Sequence, residues 1–341
     1  MRTLPPITKL WPVTSGLYLG WALGSNDAAN VFGTAVATRV IPFYLAGWSI
    51  LIFATIGAVL EGYGGFETLG KFGHMTPTDA FWIALSAAAT VTLMTYLGLP
   101  VSTSQAIVGA IIGAGAVHGT LNLSPLGKVV SSWIATPIGA GIIAYFLYFI
   151  LKPVIYWLGK AVGYIAGFLG RRRTGRPHGG GYGILWWDNA IWWGLMLSGI
   201  YGAYSLGANN VANVMGVFVA SGTVSPFMGA LLGGLSIGVG ALTYGRKVME
   251  TVGTGIVRLS PYTALVVVLA EAITVHFFAV VGVPVSTSQA VVGGVIGIGF
   301  VEGVSRIDKK TTTKVLFGWF GTPTIAGIVS AIVAFLVGLF M

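Results

Sequence analysis

The strongest constraint on this chain is that it repeats itself. Gly24-Ser-Asn-Asp-Ala-Ala-Asn30 recurs as Gly207-Ala-Asn-Asn-Val-Ala-Asn213, 183 residues later, and Leu99-Pro-Val-Ser-Thr-Ser-Gln-Ala recurs as Val283-Pro-Val-Ser-Thr-Ser-Gln-Ala at an offset of 184. Between these blocks Glu67-Thr-Leu-Gly matches Glu250-Thr-Val-Gly. Beyond them Trp133 and Thr136-Pro137 match Trp319 and Thr322-Pro323. Four blocks in one order at a nearly constant offset define two homologous halves, 1–157 and 185–341, joined by a segment at 158–184. Whatever the first half folds into, the second must fold into as well.

Each half is a series of apolar runs, near 11–41, 43–65, 80–98, 100–118 and 126–157, with counterparts near 188–219, 223–245, 261–282, 284–301 and 314–341. With 55% hydrophobic and only 8% charged residues, the chain lacks the polar surface to cover a water-soluble globule. It is expected to be solvated by lipid. The 52 glycines suit close helix packing in a membrane, and the tryptophan pairs Trp186-Trp187 and Trp192-Trp193 suit interfacial anchoring. The apolar stretch from Trp11 resembles a leader peptide, but it runs into a motif that is copied deep in the chain, which a cleaved leader would not be.

A helix needs about 20 apolar residues to cross the hydrocarbon, and the fourth run of each half is marginal. Joined to the third by a Pro-containing turn, it reads as one arm of a re-entrant hairpin with Ser-Thr-Ser-Gln at the tip. The expected fold is an all-α integral membrane protein of about ten crossing or hairpin segments, with broken helices and room for interfacial ones. Charge orients it. The joining segment carries Arg171-Arg-Arg-Thr-Gly-Arg176 and reads as a solvated cytoplasmic linker. Both termini then lie outside, with Arg2, Lys9, Lys71 and Lys128 outside and the other fourteen basic residues inside. An odd number of crossings per half inverts the second half relative to the first, so the two hairpin tips approach from opposite faces toward the midplane. The net charge of +9 is thereby absorbed as a topology signal and not as a nucleic-acid footprint.

At Ser102-Thr-Ser-Gln105 and Ser286-Thr-Ser-Gln289 a proline ends one helix, and a hydroxyl can cap the next. The bland reading is an ordinary helix cap. Two identical copies facing each other make more: two positive helix ends with six hydroxyls and two carboxamides can surround a tetrahedral oxyanion. A tetrahedral-oxyanion site is therefore expected at Ser102, Thr103, Ser104, Gln105, Ser286, Thr287, Ser288 and Gln289. The Asn-rich motifs lie inside the first apolar run of each half, where Asn and Asp cost insertion energy and imply a broken helix. Their bland reading is polar glue between helices. Their oxygens also suit an alkali cation or can offer a proton site, which makes Asn26, Asp27, Asn30, Asn209, Asn210 and Asn213 the candidates for the coupling ion, Na⁺ on the resemblance drawn below. Glu67 and Glu250 are a repeat-matched pair and a weaker coupling candidate. Glu271 and His276, matched by Ala87 and Thr92, read as local polar contacts.

An enzyme is not expected: there is no cysteine, and the four histidines at 74, 118, 178 and 276 are scattered singly with no metal-ligand spacing. A passive channel would not need a polar pair deep in each half. Taken together, the paired Gly-x-Asn-[Asp/Asn]-x-x-Asn and Pro-Val-Ser-Thr-Ser-Gln motifs resemble those of the inorganic phosphate transporter (PiT) family, the sodium-dependent phosphate symporters. The resemblance covers essentially the whole chain. It implies a plasma-membrane secondary transporter that moves inorganic phosphate with Na⁺ by alternating access, with no cofactor beyond the coupling ion. A proton-coupled phosphate or sulfate symporter is the alternative, and a homodimer is left open. One departure bears on coupling: where the family commonly has Asp in both motifs, the second half here has Asn210.

Overall fold

A computed structural model describes residues 10–73, 75–97, 101–174, 182–246, 248–249, 259–303 and 309–340, and regular secondary structure among them is all helical. The first apolar run folds as α1 (Val13–Leu23), one π-helical turn (Gly24–Ala28) and α2 (Ala29–Ala37). Then come α3 (Phe43–Glu61), the short α4 (Tyr63–Gly70), α5 (Pro77–Tyr96), α6 (Thr103–His118) and α7 (Leu126–Thr174). The second half repeats the order with α8 (Tyr182–Ala220), α9 (Pro226–Tyr244), α10 (Pro261–Val281), α11 (Thr287–Glu302) and α12 (Lys309–Phe340). Of the segment 158–184, the part up to Thr174 continues α7 and the part from Tyr182 opens α8.

Local chemistry sets the helix ends. Thr76-Pro77, Ser225-Pro226 and Ser260-Pro261 start α5, α9 and α10, each with a hydroxyl accepting from the backbone N–H three residues on and a proline at the first helical position. Gly119 and Gly282 end α6 and α10 at φ of +68° and +72°, a left-handed turn that a side chain would disfavour.

Among the described residues six helices, α3, α5, α7, α9, α10 and α12, are long and apolar enough to cross a membrane. α6 and α11 have 16 residues each, so at about 1.5 Å per residue they fall short of the roughly 30 Å hydrocarbon. Burial ranks the helices from inside to outside. The apolar windows of α5 and α10 are each 56% buried, against 17% for α7 and 22% for α12, so the hairpin helices are interior and the last helix of each half faces lipid.

The two halves interlock by exchange. α6 of the first half packs on α12 of the second, and α11 of the second packs on α7 of the first. Glycines bring the backbones together at matched positions. A Cβ on Gly109 would lie 2.2 Å from the Pro323 carbonyl oxygen, and one on Gly293 would lie 2.1 Å from that of Pro137. Gly24 meets the Ile237 carbonyl just as Gly207 meets that of Ala54, each at 1.9 Å from the added atom. Swapping the halves maps each contact onto its twin.

Candidate functional site

The repeated polar motifs converge inside this packing. Every residue from Ser102 to Gln105 and from Ser286 to Gln289 is at most 5% exposed, as are Asn26, Asp27, Asn30, Asn209, Asn210 and Asn213. Ser102 caps α6 by accepting from the Gln105 N–H, and Ser286 caps α11 by accepting from the Gln289 N–H, both at 3.2 Å. Each helix therefore opens on a polar end inside the protein, as the proline and hydroxyl pattern predicts.

Two asparagines fix the backbone ahead of these helix starts. Asn26 accepts from the Val101 N–H at 3.1 Å and donates to Thr95 Oγ1 at 2.8 Å. Asn209 accepts from the Val285 N–H at 2.7 Å and donates to the Val283 carbonyl at 2.9 Å. The carboxamide is matched to this task, because one side chain supplies both a donor and an acceptor: Asn209 uses both on the extended backbone, and Asn26 uses its acceptor there and its donor on α5. Polar glue and site scaffold are here the same thing.

Asp27 does something its counterpart cannot. Its Oδ2 accepts from the Thr103 N–H at 3.0 Å, while Oδ1 accepts from Ser288 Oγ at 2.6 Å and from the Ser288 N–H at 3.4 Å. One carboxylate thus spans the starts of α6 and α11, which belong to different halves. Asn30 adds a bond from Nδ2 to Ser288 Oγ at 2.6 Å. In the second half Asn210 donates to Thr287 Oγ1 at 3.1 Å and accepts from Asn213 Nδ2 at 2.8 Å, so its contacts stay within its own half. The break expected in both Asn-rich motifs is a π-helical turn around Asp27. α8 carries its motif through continuous helix, and in both halves the motif's side chains make the contacts.

Four carboxamide oxygens remain without a hydrogen-bond partner among the described residues, and they form two repeat-matched pairs: Asn30 with Asn213, and Gln105 with Gln289. Thr103 Oγ1 is also unpartnered. Buried polar atoms are nearly always satisfied, so paired orphan oxygens next to two helix starts are what a site for ionic cargo would leave.

The family model that matches is the phosphate transporter family, over residues 23–330, which includes both motif pairs. The chain belongs to that family. It is accordingly a multi-pass membrane transporter and not an enzyme. Within the family's relatives, a protein of Pyrococcus abyssi provisionally named phosphate permease is 30% identical over 93% of this chain and 95% of its own length. One of Pyrococcus furiosus, similarly named, is 31% identical over 93% of each. The sulfate permease CysP of Bacillus subtilis is 28% identical over 98% of this chain and 88% of its own. A solved structure described as the sodium-dependent phosphate transporter superposes with a TM-score of 0.79 over 98% of this chain and 100% of the other, at 24% identity, and so shares the fold.

Other expected positions fall elsewhere. Glu67 is 75% exposed and pairs with Lys71 at 2.7 Å, and the ammonium holds its carboxyl below the usual range. Glu250 lies outside the described residues. His276 makes the local contacts expected of it, with Glu61 and Tyr201. Glu271 does not: it is fully buried, and neither carboxylate oxygen has a partner among the described residues. Glu61 escapes a sequence reading because an acid at a helix end is ordinary; the one available signal was that His276 and Glu271 lack counterparts in the first half.

Proposed function

We propose that the chain is a Na⁺-coupled symporter of inorganic phosphate working by alternating access. The observation that carries this reading is the Asp27 carboxylate lying across the starts of two helices from different halves. An anion at a helix N-terminus is favoured by the dipole and by free N–H donors, so Asp27 engages the donors that a phosphate oxygen would use. Na⁺ bound between Asp27 and the orphan oxygens of Asn30 and Asn213 draws the carboxylate toward itself and frees those donors. Phosphate then takes them, with Ser102, Thr103, Ser104 and Gln105 on one side and Ser286, Thr287, Ser288 and Gln289 on the other. Asn26, Asn209 and Asn210 complete the cation side by scaffolding it. Neither ion binds well without the other, which is what symport requires.

In this reading 1–157 and 185–341 are inverted repeats about a basic cytoplasmic linker at 158–184, both termini are outside, and the two hairpins rock against the rest. The exchanged packing of the halves and the structural neighbour described as sodium-dependent support it. Radiolabelled phosphate uptake into proteoliposomes with an imposed Na⁺ gradient tests it: concentrative uptake that needs Na⁺ is expected, and its absence under both Na⁺ and H⁺ gradients would overturn the assignment. Sulfate is the second reading, favoured by the similarity to the sulfate permease over nearly the whole chain. Competition by excess sulfate against labelled phosphate separates the two.

A further inference from the structure

Three residues of the second half and Glu61 of the first form a polar array with no twin across the repeat, and the proposed phosphate site does not use it. Glu271 sits in the middle of α10, fully buried, with Oε1 and Oε2 both unpartnered among the described residues. It packs on Gly202 of α8, where an added Cβ would come within 3.1 Å of Oε2 and 2.9 Å of Val31 Cγ1 on α2. Tyr201 is the neighbour of Gly202 on α8. Its hydroxyl is 2.7 Å from His276 Nδ1, and His276 Nε2 is 2.9 Å from Glu61 Oε2. Exposure rises along this series. Glu271 is at 0%, the His276 side chain at 25% and that of Glu61 at 42%.

An unpaired carboxylate in such surroundings is costly, and a carboxyl is retained there when it exchanges a cation or a proton. A sodium ion needs a shell of several oxygens, whereas a proton needs one. No hydrogen-bonding oxygen meets Glu271 among the described residues. We infer that Glu271 is a proton-carrying site, loaded and emptied through Tyr201, His276 and Glu61. The proton passes from the Glu271 carboxyl to the Tyr201 oxygen as Tyr201 gives its own to His276 Nδ1. His276 in turn passes its Nε2 proton to Glu61 and so to water, which leaves Glu271 as the carboxylate. In the present conformation Glu271 and Tyr201 are not hydrogen-bonded, so the path is open at its inner step. A relay that closes only in another conformation is what prevents a leak. The path exists once, because the matched positions in the other half are Ala87, Tyr18, Thr92 and, for Glu61, Tyr244.

Among the described residues no other titratable group is shown at this level of α10. α8 adds Tyr204, which bonds Glu61, and Asp188 near its far end. α2 has none, and α11 has only Glu302 at its last position. α7 brings Tyr148 and Lys152 against Tyr262, roughly 13 Å along α10, and α4 brings the Glu67–Lys71 pair near Gly282, roughly 16 Å along it.

This inference rests on the transporter reading, and the test separates the two. Purified full-length protein in proteoliposomes is assayed for phosphate–phosphate exchange, for net uptake driven by an inside-alkaline pH gradient at fixed Na⁺, and for lumenal pH with a trapped dye. Glu271→Gln should keep exchange, lose the acceleration by the pH gradient, and lower lumenal acidification by about one proton per phosphate. Tyr201→Phe and His276→Gln should slow pH-driven uptake by about tenfold or more and leave exchange intact. Wild-type pH response in Glu271→Gln would overturn the site. Should that variant not fold, an unchanged pH response in both Tyr201→Phe and His276→Gln would overturn it instead. Wild-type exchange with no response to a pH gradient also sinks the proton site and leaves the transporter standing, whereas no exchange at all sinks both.

Discussion

Replacing the Asp27 carboxylate with a carboxamide keeps its size and removes a unit of charge from between two helix starts. Two unit charges about 4 Å apart interact by about 4 kcal/mol at an effective dielectric near 20, so losing part of this should weaken Na⁺ binding by about tenfold or more. Asp27→Asn should therefore raise the Na⁺ concentration needed for uptake, and at fixed Na⁺ it should weaken phosphate binding too, since linkage is reciprocal. Transport titrations in both ions check this. On the proposed phosphate site Gln105→Ala and Gln289→Ala would each remove a hydrogen-bond donor to the anion, worth about 1.5–3 kcal/mol, so each should lower phosphate affinity by about ten- to a hundredfold with the protein still folded. Unchanged affinity in both would remove the hairpin tips from the substrate site. The motif residues were legible because they are duplicated. Their bonding was not. Asn26 and Asp27 are neighbours in one motif, yet one scaffolds backbone and the other bridges halves, and that division comes from which helix start each faces. Glu61 and Tyr201 were invisible because each is unremarkable alone and acquires meaning only through His276.

At the scale of elements, helix contacts depend on the absence of side chains. Gly109→Ala and Gly293→Ala each drive a methyl into a backbone carbonyl, which should cost about 1–3 kcal/mol by overpacking. Gly139→Ala, with nothing within 4 Å of the added atom, is the control and should be neutral. Thermal unfolding in detergent measures the difference, and equal behaviour of all three would mean the close approach is not needed. Most helices were legible, since their apolar runs are long and their Ser/Thr-Pro starts are strong signals. The π-helical turn at Gly24–Ala28 was not: polar residues in an apolar run say that a helix is perturbed, and the choice among a break, a bulge and continuous helix is made by what packs beside it.

At the scale of the molecule, the proposed inversion of the halves has a direct test. Cysteines placed singly at Thr174 and Asn122 should label from opposite faces, on a background with no native cysteine. Labelling from one face would overturn the inverted arrangement. The duplication made two similar halves legible, and the motifs made their own convergence legible, but nothing in the sequence said that each hairpin helix would lie against the last helix of the other half. That exchange reaches back to synthesis. The ribosome delivers α1–α7 before α8–α12 exist, so Gly109 and Gly113 of α6 wait without the Pro323 and Gly327 backbone they will meet. Until α12 is made the glycine face of α6 lacks the backbone it packs on, so this contact between the halves forms only after the second half has been synthesised.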